Sequence, residues 1–321
     1  MNHYILRLNL SLATIILTCT SQLAYSKANG SHINMGISYP SLNLKISDQG
    51  QETASGSSKH SIVYEPVVAK AGHLSYTAGY LSLSYSRSID EEEEKPQFSG
   101  GSIKWYRSTY GFDIDHQQFE SFQITNGSGF SLALPNSEIN KQDLRVNLTT
   151  ARVYILPFRK QYAFSVSFEP AVKKKTGVAA GVMFSGNDLT FSTNQGLIPQ
   201  TWKIPFGNNA GFVDANLRGN YLQLCAAFTL AYGPSYFSFL GAVGPGEQSY
   251  NYTVNTFSEN TNTGTNRSQA FLLKTQAGLV GQTFFTAIST SIKSPEYTLD
   301  KLTIAGNQQE TKGITGFKWA W

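Results

Sequence analysis

The feature that most limits this chain is a period of two. In Asn220–Leu230, N-Y-L-Q-L-C-A-A-F-T-L, Leu222, Leu224, Ala226 and Phe228 fall on one side, and Gln223, Cys225 and Thr229 on the other. Successive side chains of a β-strand point to opposite faces, so the pattern reads as a strand with one apolar and one polar or small face. Gln161–Pro170, Q-Y-A-F-S-V-S-F-E-P, alternates in the same way, with Tyr162, Phe164, Val166 and Phe168 against Ala163, Ser165 and Ser167. Few segments space apolar residues by three and four, so long helices are not expected and an all-β fold is.

Other segments extend the pattern. In H-L-S-Y-T-A-G-Y-L-S-L-S-Y-S the apolar parity runs through Leu74, Tyr76, Ala78 and Tyr80, then shifts to Leu81, Leu83 and Tyr85. Such a shift marks a bulge or bend. G-G-S-I-K-W-Y-R and Y-G-F-D-I-D-H-Q-Q-F form a hairpin around Ser108-Thr109. Leu144–Leu156 with Gln161–Pro170, and Ala270–Leu279 with Gln282–Ser291, read as two more, and Leu299–Ala305 with Lys312–Trp321 as the closing pair. The total is about twelve strands. Asn187–Asn209 gives no clear crossing. Connections are either tight, as at Arg159-Lys160 and Tyr232-Gly233-Pro234, or long and polar, as at Arg87–Gln97, Thr125–Lys141 and Gly246–Ser268. Short turns at one rim and long loops at the other suit an outer-membrane barrel. The acidic run Asp90–Glu94 and the basic Lys173-Lys174-Lys175 read as solvated loops.

Composition narrows the class. Charged residues make up 14% and aromatic residues 13% of the 321 residues, against roughly 25% charged in an ordinary soluble domain. The net charge of +4 gives no reason to expect a nucleic-acid partner. Residues 1–26 have a basic start at Arg7, an apolar run to Leu17 and the small-residue ending Ala24-Tyr25-Ser26, which reads as a cleaved signal peptide. Lipidation at Cys19 is the alternative there, against the poor fit of Thr18 before it. Cys225 is then the one cysteine of the mature chain, so no disulfide framework is expected.

Alternation alone also fits a soluble secreted sandwich. The apolar face is unusually aromatic, however, and the opposite face is rich in Ser, Thr, Gly, Gln and Ala. Several crossings exceed the roughly 5–6 residues usual in globular sheets, and aromatic residues gather at strand ends, where Trp and Tyr suit a membrane interface. The expectation is a closed antiparallel transmembrane β-barrel of about twelve strands over residues 72–321. Residues 27–71 would be an N-terminal periplasmic segment or extra strands.

The chain from Tyr64 onward resembles the bacterial outer-membrane β-barrels grouped as domain of unknown function 4421. The resemblance rests on V-Y-E-P, G-Y-L-S-L-S-Y-S and the hairpin F-S-G-G-S-I-K-W-Y-R-S-T-Y-G-F-D-I-D-H-Q-Q-F. It rests also on F-R-K-Q-Y-A-F-S-V-S-F-E-P-A-V-K-K-K-T-G-V-A-A-G and Y-G-P-S-Y-F-S-F-L-G-A-V-G-P-G. It implies a location and an architecture, and no reaction.

Candidate chemistry is sparse. The mature chain has four histidines, His32, His60, His73 and His116, with no metal-binding spacing. No G-x-S-x-G, H-E-x-x-H or phosphate loop occurs, so no catalytic residue, metal or cofactor is assigned. Cys225 faces inward as an inert thiol. In Asp113-Ile114-Asp115-His116 the aspartates share a face and His116 takes the other. Lys104, Asp113, Asp115, Arg152 and Lys274 are the candidate charges of a wet interior, where they would fill a narrow lumen or bias solute passage. Trp105, Tyr236, Phe317, Trp319 and Trp321 are the candidate interface and assembly residues. A terminal strand ending in an aromatic resembles the signal read by the barrel assembly machinery. The expected function is an exported outer-membrane barrel in contact with lipid and lipopolysaccharide, with a structural or small-solute channel role. The alternatives are a lipid-modifying barrel enzyme, needing His116 or His73 to meet a Ser and an acid, and a soluble secreted binding module. Oligomeric state has no signal in the sequence.

Overall fold

The structure is a computed structural model that describes residues 31–48, 52–53, 56–57, 60–67, 70–89, 98–130, 133–162, 167–194, 196–206, 211–255, 259–293, 296–299 and 302–319. The signal-peptide reading, the acidic run Asp90–Glu94, Phe164, Val166 and Trp321 lie outside these residues. The main strands are β1 (Ser31–Asp48), β4 (Ser61–Pro66), β5 (Ala71–Ala78), β6 (Leu81–Ser88), β7 (Phe98–Tyr106), β8 (Tyr110–Ser128) and β9 (Asn140–Lys160). They continue as β10 (Gly177–Ser192), β11 (Phe212–Tyr232), β12 (Ser235–Asn255), β13 (Glu259–Val280), β14 (Phe284–Lys293), β15 (Glu296–Leu299) and β16 (Leu302–Trp319). β2 (Glu52–Thr53) and β3 (Gly56–Ser57) form a separate small ribbon. Among the described residues no helix is long and apolar enough to cross a membrane.

All neighbouring main strands pair antiparallel, and together they form one 14-stranded sheet ordered from β15 to β7, with further pairings between β16 and β1 and between β8 and β7. This corrects the expected closed barrel of about twelve strands: the sheet is branched and is not a simple closed ring. The cause is strand length. Three long strands change partner part-way along. β1 pairs with β5 over His32–Ser38 and with β4 over Leu44–Ser47. β8 pairs with β7 over Gly111–Phe119 and with β4 over Phe122–Ser128. β16 pairs with β14 over Gln308–Phe317 and with β15 over Leu302–Ala305. Three strands therefore separate β1 from β8 at one end of the molecule, and only β4 separates them at the other. β16 also pairs with β1 along the whole of β1.

The chemistry of the two faces inverts along each long strand while the alternation keeps its phase. In β1, Ile33, Met35, Ile37 and Tyr39 are exposed and His32, Asn34 and Ser38 are buried. Beyond Pro40 the outward residues are Ser41, Asn43 and Lys45, and the inward Leu42, Leu44 and Ile46 are fully buried. β9 and β11 do the same. Arg145 faces out beside buried Val146, and further along Val153 and Ile155 face out beside buried Arg152. Arg218 faces out beside buried Leu217, and then Leu222, Leu224 and Leu230 face out beside Gln223 and Thr229. The wide end is thus apolar outside and polar inside; the narrow end is the reverse. β9, β11 and β12 have 21 residues each and β13 has 22. That is about twice the roughly 9–11 residues a tilted strand needs to cross the apolar slab of a bilayer.

The narrow end is filled by one apolar cluster drawn from nearly every long strand, including Leu44, Tyr64, Phe119, Leu148, Phe191, Leu217, Tyr252 and Ile304. The segment between β10 and β11 caps it. Trp202 stacks on Phe130 with ring centroids 4.0 Å apart and 2° between planes, and Tyr64 donates to the Leu197 carbonyl. Gly127 is the seat for Trp202, since a Cβ there would strike the indole.

Several local expectations change. The parity shift after Tyr80 is a hairpin turn, made possible by Gly79 at φ 60°. Gly246–Ser268 is not a long loop, because β12 and β13 run through it apart from residues 256–258. In Glu259–Ser268 both faces carry polar residues or glycine, which hid the strand period. Thr125–Lys141 shortens to the connection between Ser128 and Asn140, with a helical turn at Asn136–Ile139. Gln161–Pro170 is not the hairpin partner of β9, which pairs with β8 and β10 instead. Gln161 has φ 54°, and Ser167–Thr176 forms turns that enter the wide end.

Candidate functional site: the charged interior

Among the described residues, the polar interior of the wide end is where this chain gathers ionisable groups from many strands. Register sets the first row. Lys104 of β7 lies opposite Asp113 of β8, and Asp113 lies opposite Arg152 of β9. All three occupy inward positions. Asp113 is fully buried and accepts from Arg152 Nε, from Tyr106 Oη at 2.7 Å, from Tyr154 Oη at 2.9 Å and from Lys274 Nζ at 2.9 Å. Lys274 also donates to Tyr154 Oη at 3.0 Å. A buried carboxylate is tolerable only with this kind of pairing, because each unpaired charge in such a place costs several kcal/mol.

The cluster also crosses the interior. Lys274 belongs to β13, which is not a sheet neighbour of β8. Two residues on, Asp115 accepts from Lys293 of β14 at 2.8 Å and lies 3.9 Å from Arg152. Two residues further, Gln117 accepts from Gln308 of β16. The next inward residue, Phe119, joins the apolar cluster. Successive inward side chains of β8 therefore each reach an opposite wall, and the interior is crossed repeatedly by polar ties.

Ser167–Thr176 closes over this region from the wide rim. Glu169 accepts from His32 Nε2 of β1 at 2.7 Å and from Thr77 Oγ1 at 3.5 Å. Lys174 donates to the Glu169 carbonyl and sits 4.7 Å from the Tyr236 ring centroid. Burial would raise the Glu169 carboxyl, but the hydrogen bond and charge of His32 and the charge of Lys174 outweigh it and hold the group below its usual value. Burial pushes Lys174 down to about 7, against the opposing pull of Glu169.

The histidines do not assemble a catalytic set. His73 lies 2.8 Å from Ser86 Oγ inside, and His116 lies 2.8 Å from Thr149 Oγ1 outside. Neither pair has a carboxylate hydrogen-bonded to the histidine among the described residues. No group of three His, Cys, Asp or Glu side chains able to hold a metal occurs among them. Cys225 is buried, in a cluster with Met183, Leu240 and Leu272.

Of the interior charges read from sequence, Asp113, Arg152 and Lys274 meet in one cluster, and Asp115 joins it through Arg152 and Lys293. Lys104 shares the row without an ion pair among the described residues. Trp105 faces outward beside Tyr110 and Phe112. Phe317 faces outward, with its ring 5.6 Å from that of Phe284. Tyr236 does not belong to the outer interface. It is buried under Lys174, and its neighbour Phe237 takes the outward position. Trp319 lies in β16 opposite Ser31. Sequence reasoning missed Tyr106, Tyr154, Lys293, Gln117 and Gln308. All occupy inward parity of a strand, and that parity was the available signal.

No protein-family model and no curated protein matches the chain. Several solved structures are similar to it. The outer membrane protease OmpT from Escherichia coli is 10% identical with a TM-score of 0.42, covering 90% of this chain and 97% of that one. Ail, the attachment invasion locus protein of Yersinia pestis, is 9% identical with a TM-score of 0.24, covering 89% and 99%. The Pseudomonas putida toluene transporter TodX is 8% identical with a TM-score of 0.25, covering 92% and 91%. At these values the likeness decides nothing about activity.

Proposed function

We propose that this chain is an outer-membrane β-barrel protein with a structural, non-conducting role in the envelope. The observation that carries the reading is the inversion of both faces along the strands. An apolar exterior over a polar interior suits lipid, and a polar exterior over an apolar core suits water. The wide half would sit in the bilayer, with the narrow half projecting from it. Backbone groups in lipid must all be paired, which the long β1–β16 ladder does for the two terminal strands. Lipid and lipopolysaccharide would meet Ile33, Met35, Leu222 and Phe317. The terminal aromatic strand would be read by the barrel assembly machinery, after export on the N-terminal signal. Membership of domain family 4421 is a proposal that rests only on the motifs running from V-Y-E-P to G-A-V-G-P-G.

A non-conducting role is favoured over a channel because the cross-interior ties of Asp113, Asp115 and Gln117 lie beneath a continuous apolar cluster. An enzymatic role is not proposed. Ser86 is buried on the interior side, away from any lipid substrate, and His73 has no acid bound to it among the described residues. The test is fractionation followed by planar-bilayer recording. The expected result is detergent-dependent recovery from outer membranes, a heat-modifiable band and no steady current. Recovery of the chain as soluble protein would sink the membrane reading, and reproducible single-channel steps would sink the non-conducting role.

A further inference from the structure

The charges of the wide rim are sorted by sign. Its turns and strand ends carry Arg107, Arg159, Lys160, Lys173, Lys175 and Lys318. Among the described residues the carboxylate found there is Glu169, which accepts from His32 and Thr77 in the interior. The narrow end is mixed, with Asp48, Asp143 and Asp214 as well as Lys45, Arg145 and Lys203. The wide rim also borders the apolar exterior. Phe158 is 76% and Tyr232 89% exposed, and Leu230 and Val178 are exposed beside them in sequence or register. Cations just beyond such an aromatic and apolar band lie at the depth of lipid headgroups.

One part of this rim is concave. A groove of about 630 Å³ is lined by Arg159 from the end of β9, by Lys173 and Lys175, and by Ala231 and Gly233 from the end of β11 and its turn. The backbone around it is pinned. Thr176 Oγ1 donates to the Ala231 carbonyl at 3.3 Å and accepts from Ala231 N at 3.0 Å, and Arg159 Nη1 donates to the Tyr162 carbonyl at 3.1 Å. Lys174 is already engaged, since it is buried against the Glu169 carbonyl and the Tyr236 ring. Lys173 and Lys175 on either side of it are exposed, as is Arg159. Among the described residues no Asp or Glu lines the groove, and none of these three cations has an ion pair. Exposed Phe158 precedes Arg159, and exposed Tyr232 stands between the two lining residues Ala231 and Gly233. The ligand that complements this surface has an anionic head joined to an apolar tail.

We infer that this groove binds the phosphate headgroup of an anionic glycerophospholipid, with Arg159, Lys173 and Lys175 as its cations and the acyl chains lying along Phe158, Leu230 and Tyr232. An arginine fork matches phosphate oxygens, and the lysines add point charges. The inference rests on the membrane reading above and gives it a sidedness. The wide rim has short turns at residues 79–80, 107–109, 233–234 and 281–283, apart from 161–176, whose described part folds inward. Connections at the narrow end cover residues 129–139 and 193–211. Short turns belong on the periplasmic side of an outer-membrane barrel. The groove then meets the inner leaflet, and its occupant is a glycerophospholipid and not lipopolysaccharide.

The experiment uses the full mature chain folded in a maltoside detergent, with folding verified by heat-modifiable migration and by insertion into vesicles. Phosphatidylglycerol, phosphatidylethanolamine and monophosphoryl lipid A are titrated separately at constant ionic strength, and bound lipid is counted by native mass spectrometry. Saturable binding of phosphatidylglycerol, tighter than that of either other lipid, is expected. Each groove cation removed should weaken it about fivefold, so Arg159→Gln should cost about fivefold and the pair Lys173→Gln with Lys175→Gln about 25-fold. Arg107→Gln changes a cation that lies over Tyr80 and Trp105 on another turn and should leave binding within about twofold. Equal binding of phosphatidylethanolamine overturns the site. So does undiminished binding by the folded lysine pair, or an equal loss in Arg107→Gln, which would mean diffuse attraction to the whole rim. Preference for lipid A overturns the leaflet assignment. If Arg159→Gln does not fold, the lysine pair decides, because neither lysine has a hydrogen bond to lose among the described residues. A chain that never enters vesicles fails the membrane reading and this one together; an inserted chain without lipid preference fails this one alone.

Discussion

Asp113→Asn is the sharpest perturbation of the interior. The change keeps the shape of the side chain and removes its charge. Arg152, 4% exposed, then loses its close partner, and Lys274 loses a contact of 2.9 Å. At that distance the Asp113–Lys274 attraction is about 6 kcal/mol at an effective dielectric of 20 and about 1.4 kcal/mol in water. Lys274 is 16% exposed, so the effective value lies between. The folded state keeps the cost of burying both cations and loses what offset it. Removing one partner of a buried pair costs about 3–5 kcal/mol, and the same loss is expected here. The assay is urea unfolding in lipid vesicles, followed by tryptophan fluorescence, with the slope against urea held as a check that the same surface is exposed. Lys274→Met should cost less, about 1–2 kcal/mol, because Asp113 keeps Arg152, Tyr106 and Tyr154 as donors. The double variant should lose less than the sum of the singles. A loss below about 1 kcal/mol for Asp113→Asn would refute the reasoning, since it would mean that water reaches Arg152 freely.

Other perturbations test the fold and its rim. Met35→Arg places a charge on the apolar exterior and should cost about 2–4 kcal/mol, while Asn43→Arg, eight residues along the same face of β1, should cost close to nothing; equal effects in vesicle unfolding would contradict the inversion of the faces. Gly36→Ala sets a Cβ against the Gly313 carbonyl across the β1–β16 ladder, whereas a Cβ on Gly313 meets nothing. The first should cost about 1–3 kcal/mol by overpacking and the second under about 0.5 kcal/mol, read as folded yield on a semi-native gel. Lys174 has a value of about 7 in the folded chain against its ordinary 10.5. Between those values the unfolded chain binds one more proton, so stability should rise with pH from about 7 toward 10 and be flat, for this group, below 7. Lys174→Met should remove that slope from the urea midpoints, and an unchanged slope would discount the burial of this ammonium.

Much of the interior was legible in the sequence because strand parity is a local property. Lys104, Asp113, Arg152 and Lys274 alternate with Trp105, Ile114, Val153 and Thr275, and that alternation sorts residues onto shared faces whatever the strands later pair with. The same period failed in two places. Tyr162–Phe168 alternates over a segment whose described part forms turns, because docking of Glu169 on His32 and of Lys174 under the wide rim outweighs strand propensity. The run from Glu259 to Ser268 does not alternate and is nevertheless strand, because polar residues and glycine occupy both of its faces, whereas Tyr250, Tyr252 and Val254 of the paired β12 keep the period. Strand number failed for a related reason. A partner change within β1, β8 or β16 leaves each strand's own pattern intact, so the forks are invisible in the sequence.

By itself, then, the sequence determined an all-β chain, the facing of most strand residues and the set of charges that avoid the apolar face. These follow from backbone geometry and local hydrophobicity. The tertiary structure alone decided which walls meet. Asp113 and Lys274 are 161 residues apart, and nothing in either strand's pattern specifies the other. Their contact depends on how strands of 18–22 residues wrap and change partners around a common interior. Only that wrapping turns scattered inward charges into a cluster in which each buried carboxylate meets cations from other strands.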